Sequence, residues 1–475
     1  MGWEFFRNNP ITDIFSGINT IRKEPWNTLW KTRFIQYLFI FDVVSIAGII
    51  FFWYVDLIPT QSENAFYLVS SIIQIQAVIA ALVITLTLIA IQMAAATYTS
   101  RVIDVMKKNP DMWYLLAIYV IAISYGLIVL KSIPSEQDQI LVTSVLIFCI
   151  FTLVALFLYL KNTITLLHPD EIAKKLIGEI NCDNVIFEKK SDDVLQPVFD
   201  VINESVRRFD PTTTRSSLSA VSEKIICVYP RPHDWTSWEI SNHFCEHVKR
   251  SAIIALRNGD EGTLGEIFYT MGQFGSGSCI YENSDFLSPT ISFLYDFSER
   301  TIENKMQEAT VEASNALAEI GMKSADIGGN NLSNTNSDVV SALQRIATYS
   351  MQTHLFHSAE MAAIMIGWIG YHTADKGEEQ YSQTTEVAAA LEKIGKYAAN
   401  IERNDIVEAV LRALFFIGFR DSSRELIISS LKNLQSWDKL ELFQEVEKIK
   451  YEFELEEIPK IDDLMNLVRE KVVLM

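Results

Sequence analysis

Hydrophobic positions fall into two regimes along the chain. Up to about residue 161 they form continuous runs; beyond residue 169 they recur at helical spacing between polar faces. Four runs, 34–55, 66–97, 113–130 and 139–161, are long enough to cross a bilayer, which takes about 20 apolar residues. The pattern predicts an all-α protein: a four-transmembrane-helix domain followed by a cytoplasmic α-solenoid or helical-repeat-like domain. It divides into an N-terminal arm (1–33), the membrane domain (34–161), connecting helices (162–214) and the repeat domain (215–475).

The second run organises the membrane half. Steps of three and four residues give Ser71, Gln74, Val78, Ala81, Thr85, Ile89, Gln92 and Ala96, which share one face of a helix. No charge occurs between Glu63 and Arg101. A helix over 66–97 would be roughly 48 Å long against a hydrocarbon core of about 30 Å, so it must tilt or protrude. Its small and polar stripe reads either as a helix–helix seam, where small residues allow close approach, or as the wall of a water-filled pathway. As a pore it would have polar mouths at Gln74 and Gln92 and a mostly apolar throat at Val78, Ala81, Thr85 and Ile89.

Asp42 is the one ionisable residue inside an expected span. An acid there faces water, a donor or a partner helix, as an ion site or as a cap within the bundle. Before the first span, Ile11, Ile14, Phe15, Ile18 and Ile21 recur at helical spacing, followed by Trp26 and Trp30. That arm suits an amphipathic helix, either in the membrane interface or packed on the tail.

Charge orients the spans. Bases cluster in the arm (Arg7, Arg22, Lys23, Lys31, Arg33), in the middle loop (Arg101, Lys107, Lys108) and after the fourth span (Lys161, Lys174, Lys175). The other two loops carry Asp56, Glu63, Glu136 and Asp138 with Lys131 as their one base. The positive-inside rule then expects both termini in the cytoplasm of a plasma-membrane protein, with Arg101, Lys107 and Lys108 at a cytoplasmic mouth. Residues 1–169 hold ten basic and ten acidic side chains, so the whole net charge of −19 lies beyond them. So acidic a tail argues against nucleic acid as partner and leaves a protein partner open.

Beyond residue 169 a phrase repeats. Ile320, Ile346, Ile369, Ile394 and Ile417 each precede Gly or Ala, and Ile369-Gly370 closely follows a further pair, Ile366-Gly367. Their separations are 26, 23, 25 and 23 residues, and Met271-Gly272 extends the alternate series backwards by 49. A helix every 24 or so residues, paired at about 48, predicts HEAT- or armadillo-like stacking over about 215–450. The Gly or Ala after each isoleucine serves either a tight turn or a close helix contact. The stretch 328–337, rich in Gly, Asn and Ser, predicts a flexible loop.

Two passages resemble a family of uncharacterised prokaryotic integral membrane proteins. One is Ile91-Gln92-Met93-Ala94-Ala95-Ala96-Thr97-Tyr98-Thr99-Ser100-Arg101, with Ser100 where that family has proline. The other is Phe209-Asp210-Pro211-Thr212-Thr213, with Phe209 in place of asparagine. The resemblance implies a four-span domain with a cytosolic tail and supplies no activity. Read physically, Asp210 and Pro211 suit the cap and first position of a helix.

Candidate chemistry is sparse. His243 and His247 stand one helical turn apart, and His354, His357 and Glu360 form a second set. Either set reads as metal ligands or as surface and capping histidines, and the second reading leaves the chain without metal, cofactor or catalytic residues. No phosphate loop, dinucleotide fingerprint or nucleophile elbow occurs. Five cysteines, an odd number without a C-x-x-C pair, read as reduced thiols. The expected function is an oligomeric membrane ion channel with the second span lining a central pore, in a homo-oligomer seated in the lipid bilayer and conducting ions. The alternative is a membrane-anchored scaffold or sensor whose repeat domain binds a protein.

Overall fold

In the computed structural model, residues 26–55, 62–97, 110–132, 139–166, 169–178, 180, 193–228, 235–282, 284–328, 332–376, 381–419, 423–435, 446 and 460–466 are described. Regular structure among them is helical throughout. The chain divides into two compact units, Met1–Gly178 and Glu179–Met475.

The first unit contains α1 (Trp26–Val55), α2 (Ser62–Thr97), α3 (Pro110–Ser132), α4 (Gln139–Leu166) and the short α5 (Pro169–Gly178). Among the described residues, Glu63–Ile89, Asp111–Ser132 and Ile140–Thr163 are long and apolar enough to cross a membrane, and α1 contributes a shorter apolar stretch, Ile35–Ile50. The hairpin of α3 and α4 forms the centre. α2 packs mainly on α3, and α1 mainly on α4. Close approach comes from small residues: a Cβ on Gly126 would lie 2.8 Å from Ile73 Cγ1, and one on Gly48 would lie 2.8 Å from Ile147 Cγ1. Polar side chains inside the bundle pair across helices. Thr87 Oγ1 is 2.5 Å from Tyr159 Oη, and Tyr125 Oη is 2.6 Å from Ser144 Oγ. Asn162 Nδ2 donates to the buried Asp111 Oδ2 at 3.1 Å.

The second unit is a two-layer stack of helical hairpins. They pair α6 (Leu195–Arg207) with α7 (Pro211–Val228), α8 (Trp235–Asn258) with α9 (Glu261–Ile280), and α10 (Ser284–Glu303) with α11 (Gln307–Ile327). α12 (Ser333–Gln352) pairs with α13 (Phe356–Asp375), and α14 (Tyr381–Asn400) with α15 (Asn404–Gly418), before α16 (Arg424–Gln435). The second helices α7, α9, α11, α13 and α15 lie side by side in one layer; α6, α8, α10, α12, α14 and α16 form the other. The repeat thus begins at α6, inside the segment 162–214 expected as a connection, whose α5 falls in the first unit.

One turn closes all five hairpins. Phe209, Gly259, Lys305, His354 and Glu402 adopt φ between 57° and 68°, the left-handed conformation. At each, the next residue's N–H reaches back five residues: Asp210 to Ser205, Asp260 to Ala255, Met306 to Thr301, Leu355 to Ser350 and Arg403 to Ala398, at 2.8–3.0 Å. This is the Schellman ending, which satisfies the last carbonyls of one helix. The same residue then stands at the cap of the following helix. Asp260 does so through its side chain, accepting from Thr263 N at 3.0 Å, as Asp210 does from Thr213 N at 3.1 Å. The predicted helix start at Asp210-Pro211 is therefore present.

The isoleucine–glycine phrase is a packing code. A Cβ on Gly275 would strike Ile320, one on Gly321 would lie 2.7 Å from Ile369 Cδ1, and one on Gly370 would strike Ile417. Gly272, Gly321 and Gly370 lie within helices, so their role is close contact between neighbouring hairpins; the turns are made elsewhere. The predicted loop 328–337 is corrected over 333–337, while residues 329–331 lie outside the described ones. Residues from Ser333 on form the first turns of α12, because Thr335 and Asn336 are buried and Asn336 Nδ2 donates to Gln383 Oε1 of the next repeat at 2.9 Å.

Candidate functional site

α2 presents two chemically different faces. Ala65, Val69, Ile72, Ile73 and Val83 are buried in the bundle, as is Gln76, whose amide atoms make no hydrogen bond among the described residues. The stripe singled out from the sequence faces the other way. Ser71, Gln74, Val78, Ala81, Thr85, Ile89 and Gln92 are all exposed on the single chain, Val78 with 66% of its surface. Thr85 satisfies its own hydroxyl by donating to Ala81 O at 2.9 Å, whereas the Gln74 and Gln92 amides point outward. The side chain of Ala96 lies outside the described residues, as do Arg101, Lys107, Lys108 and the N-terminal arm up to residue 25. Asp42 is likewise exposed, on α1. The bundle of one chain therefore leaves Asp42 and the stripe unburied.

A second polar centre lies in the helical unit. His243 and His247 share one face of α8, as their four-residue spacing dictates. Their Nε2 atoms lie 3.1 and 2.9 Å from Asp193 Oδ2 and 3.1 Å from each other. The other oxygen of Asp193 is committed to the start of α6, accepting from Leu195 N at 2.9 Å and Gln196 N at 3.2 Å. Phe199 stacks on the His247 ring, at 4.8 Å between centroids and 20° between planes. His247 is 2% exposed and His243 32%, so the cluster is closed on one side and open on the other. Burial alone would raise the Asp193 pKa; hydrogen bonds from His243 and His247, with their charge, hold it well below the usual carboxylate range. The surface reading of the two histidines does not describe His247. These three residues are the group that could hold a metal ion among those described.

The second histidine set does not assemble. His354 is a hairpin-turn residue at φ 65°, and His357 makes one exposed contact to Glu360 at 3.5 Å. Cys245 and Cys279 are buried thiols pushed up by desolvation to about 12, which makes them poor nucleophiles.

These features define an all-helical membrane protein with a repeat-built second unit. Residues 32–219 match the model of a family described as Predicted membrane protein (DUF2254), and both passages that carried the sequence resemblance fall within that range. No curated protein matches the chain. Among solved structures, it is similar to one described as a circular tandem repeat protein with novel repeat topology and enhanced subunit contact surfaces. The two are 12% identical over 86% of this chain and 98% of that one, with a TM-score of 0.35.

Proposed function

We propose that the chain is one subunit of a homo-oligomeric ion channel of the plasma membrane. In this reading α2 lines a central pore and the helical unit serves assembly and gating. The observation that carries it is the outward exposure of Ser71, Gln74, Val78, Ala81, Thr85, Ile89 and Gln92 on a helix that is otherwise lipid-compatible. A primary amide facing hydrocarbon costs several kcal/mol, and water or another copy removes that cost. A four-helix unit is too small to enclose a pathway alone, so several copies would surround it about an axis. The throat would then be Val78, Ala81, Thr85 and Ile89, a mostly apolar constriction of the kind that gates by dewetting. Arg101, Lys107 and Lys108 would stand at its cytoplasmic mouth, with both termini on that side.

The test is single-channel recording of purified protein in planar bilayers. Thr85→Asp and Thr85→Lys should shift cation-to-anion selectivity in opposite directions, and Ala81→Asp should act as Thr85→Asp does. Absence of current in the wild type, with Ala81→Cys failing to cross-link between copies, would remove both pore and oligomer. A second reading, a membrane-anchored scaffold or sensor gripping a protein, draws on the stacked hairpins, whose layers offer extended surfaces.

A further inference from the structure

We propose that Asp193 Oδ2 and the Nε2 atoms of His243 and His247 bind one divalent transition-metal ion, zinc being the best match. The site would clamp the start of α6 to α8 and so join the first two hairpins.

The geometry is a nearly equilateral triangle with edges of 2.9, 3.1 and 3.1 Å. Hydrogen bonding explains two of those edges, since each imidazole can donate to the carboxylate oxygen. It does not explain the third. If both Nε2 atoms donate to Asp193, they gain nothing from lying 3.1 Å apart. A cation accounts for all three edges at once, because every lone pair then points at it. Ligands about 2.0–2.1 Å from a tetrahedral zinc stand about 3.3 Å from each other, so the triangle needs to widen by only a few tenths of an ångström.

The supporting shell is already built. The backbone N–H groups of Leu195 and Gln196 hold Asp193 Oδ1, which fixes Oδ2 as a monodentate ligand. Phe199 fixes the plane of His247. Two imidazoles and one carboxylate suit zinc and its first-row neighbours; magnesium and calcium prefer oxygen alone. Three protein ligands leave a fourth position for water, on the half-exposed side at His243. Two other histidine–carboxylate contacts, His372 with Asp326 and His357 with Glu360, provide one edge each and no third ligand among the described residues.

The experiment uses the full chain in detergent, stripped with a chelator and titrated with Co²⁺ as a spectroscopic probe. One equivalent should produce the intense visible absorption of four-coordinate cobalt, displaced by Zn²⁺, and Zn²⁺ should raise the Tm of the stripped protein. Asp193→Asn retains an oxygen able to cap α6, and His243→Gln changes a half-exposed position, so both variants should fold. Each should weaken Co²⁺ binding by more than the roughly 100-fold seen for losses behind a metal's direct ligands, while His357→Ala leaves it unchanged. A wild type without the cobalt band, or a band surviving in both ligand variants, would overturn the proposal.

Discussion

Consider what one methyl group does at Gly367. The residue lies in the middle of α13, where its added Cβ would overlap Cβ of Ala413 on α15 and stand 3.0 Å from its Cα. Neither atom can rotate aside, because one is backbone and the other is fixed to it. Carbon atoms in contact prefer about 3.5–4.0 Å, so the two helices must separate by roughly 1 Å. Overpacking of this kind costs about 1–3 kcal/mol, while alanine regains about 1 kcal/mol over glycine in a helix. Gly367→Ala should therefore destabilise by up to about 2 kcal/mol. Gly265 is the control: its added Cβ meets only the Glu312 side chain, Cγ at 3.4 Å and Cβ at 3.9 Å, both ordinary contacts. Gly265→Ala should stabilise by up to about 1 kcal/mol. Thermal unfolding of the full chain in detergent, followed by far-UV circular dichroism, reads both, at about 2–4 °C per kcal/mol for a unit of this order of size. Moving the methyl from one side to the other, in Gly367→Ala with Ala413→Gly, should recover part of the loss. A Gly367→Ala protein as stable as Gly265→Ala, or a double variant worse than either single change, would refute the steric account.

Other consequences are open to the same assay. Burial raises the Glu319 pKa to about 7, with hydrogen bonds from Ser276 and Gln273 and the charge of Lys323 only partly opposing it. The folded state thus holds this proton more tightly than the unfolded state, so stability present below about pH 4.5 is lost as pH rises through about 7. Glu319→Gln should be the more stable protein above pH 7, by at most about 3 kcal/mol, with the difference vanishing below about pH 4.5; a pH-independent difference would count against it. Asp260→Ala removes the side-chain cap of α9 and should cost about 1 kcal/mol, whereas Asp260→Asn should cost little. Gln76 is buried in the bundle, so Gln76→Leu should leave the detergent-solubilised protein as stable or more so, unlike a change that strips a satisfied hydrogen bond.

The period of the chain was readable because isoleucine and glycine recur where neighbouring hairpins touch. What the glycines do was not readable, since a glycine two residues from a helix end and one facing Ala413 look the same in a sequence. The true turn positions carried no compositional mark: Phe209, Lys305, His354 and Glu402 adopt a conformation usually left to glycine, and only Gly259 follows the rule. Hydrogen bonds across the Schellman turn compensate for the strain. On α2 the spacing of the stripe was evident, but its direction was not. Gln74 and Gln76 are two residues apart, and packing alone decides that the second is inside and the first out. Asp193 could not be joined to His243 and His247 from spacing, because the 50 and 54 residues between them close only when α6 and α8 stack.

That last juxtaposition bears on how the two units of the chain are related in sequence. The family match ends at residue 219, within α7, so it takes in the membrane unit and most of the first hairpin but none of the later repeats. Asp193 lies inside the matched range and both histidines lie beyond it. In a stack where each hairpin touches chiefly its neighbours, a junction between two hairpins opens more easily the fewer contacts it holds. A metal ion held between Asp193 and α8 would strengthen that junction by adding bonds between the first two hairpins. Stripping the metal should therefore loosen α6 and α7 first, read as faster amide exchange at Val198–Ile202 than at Leu411–Phe415, with the contrast reduced when zinc is restored.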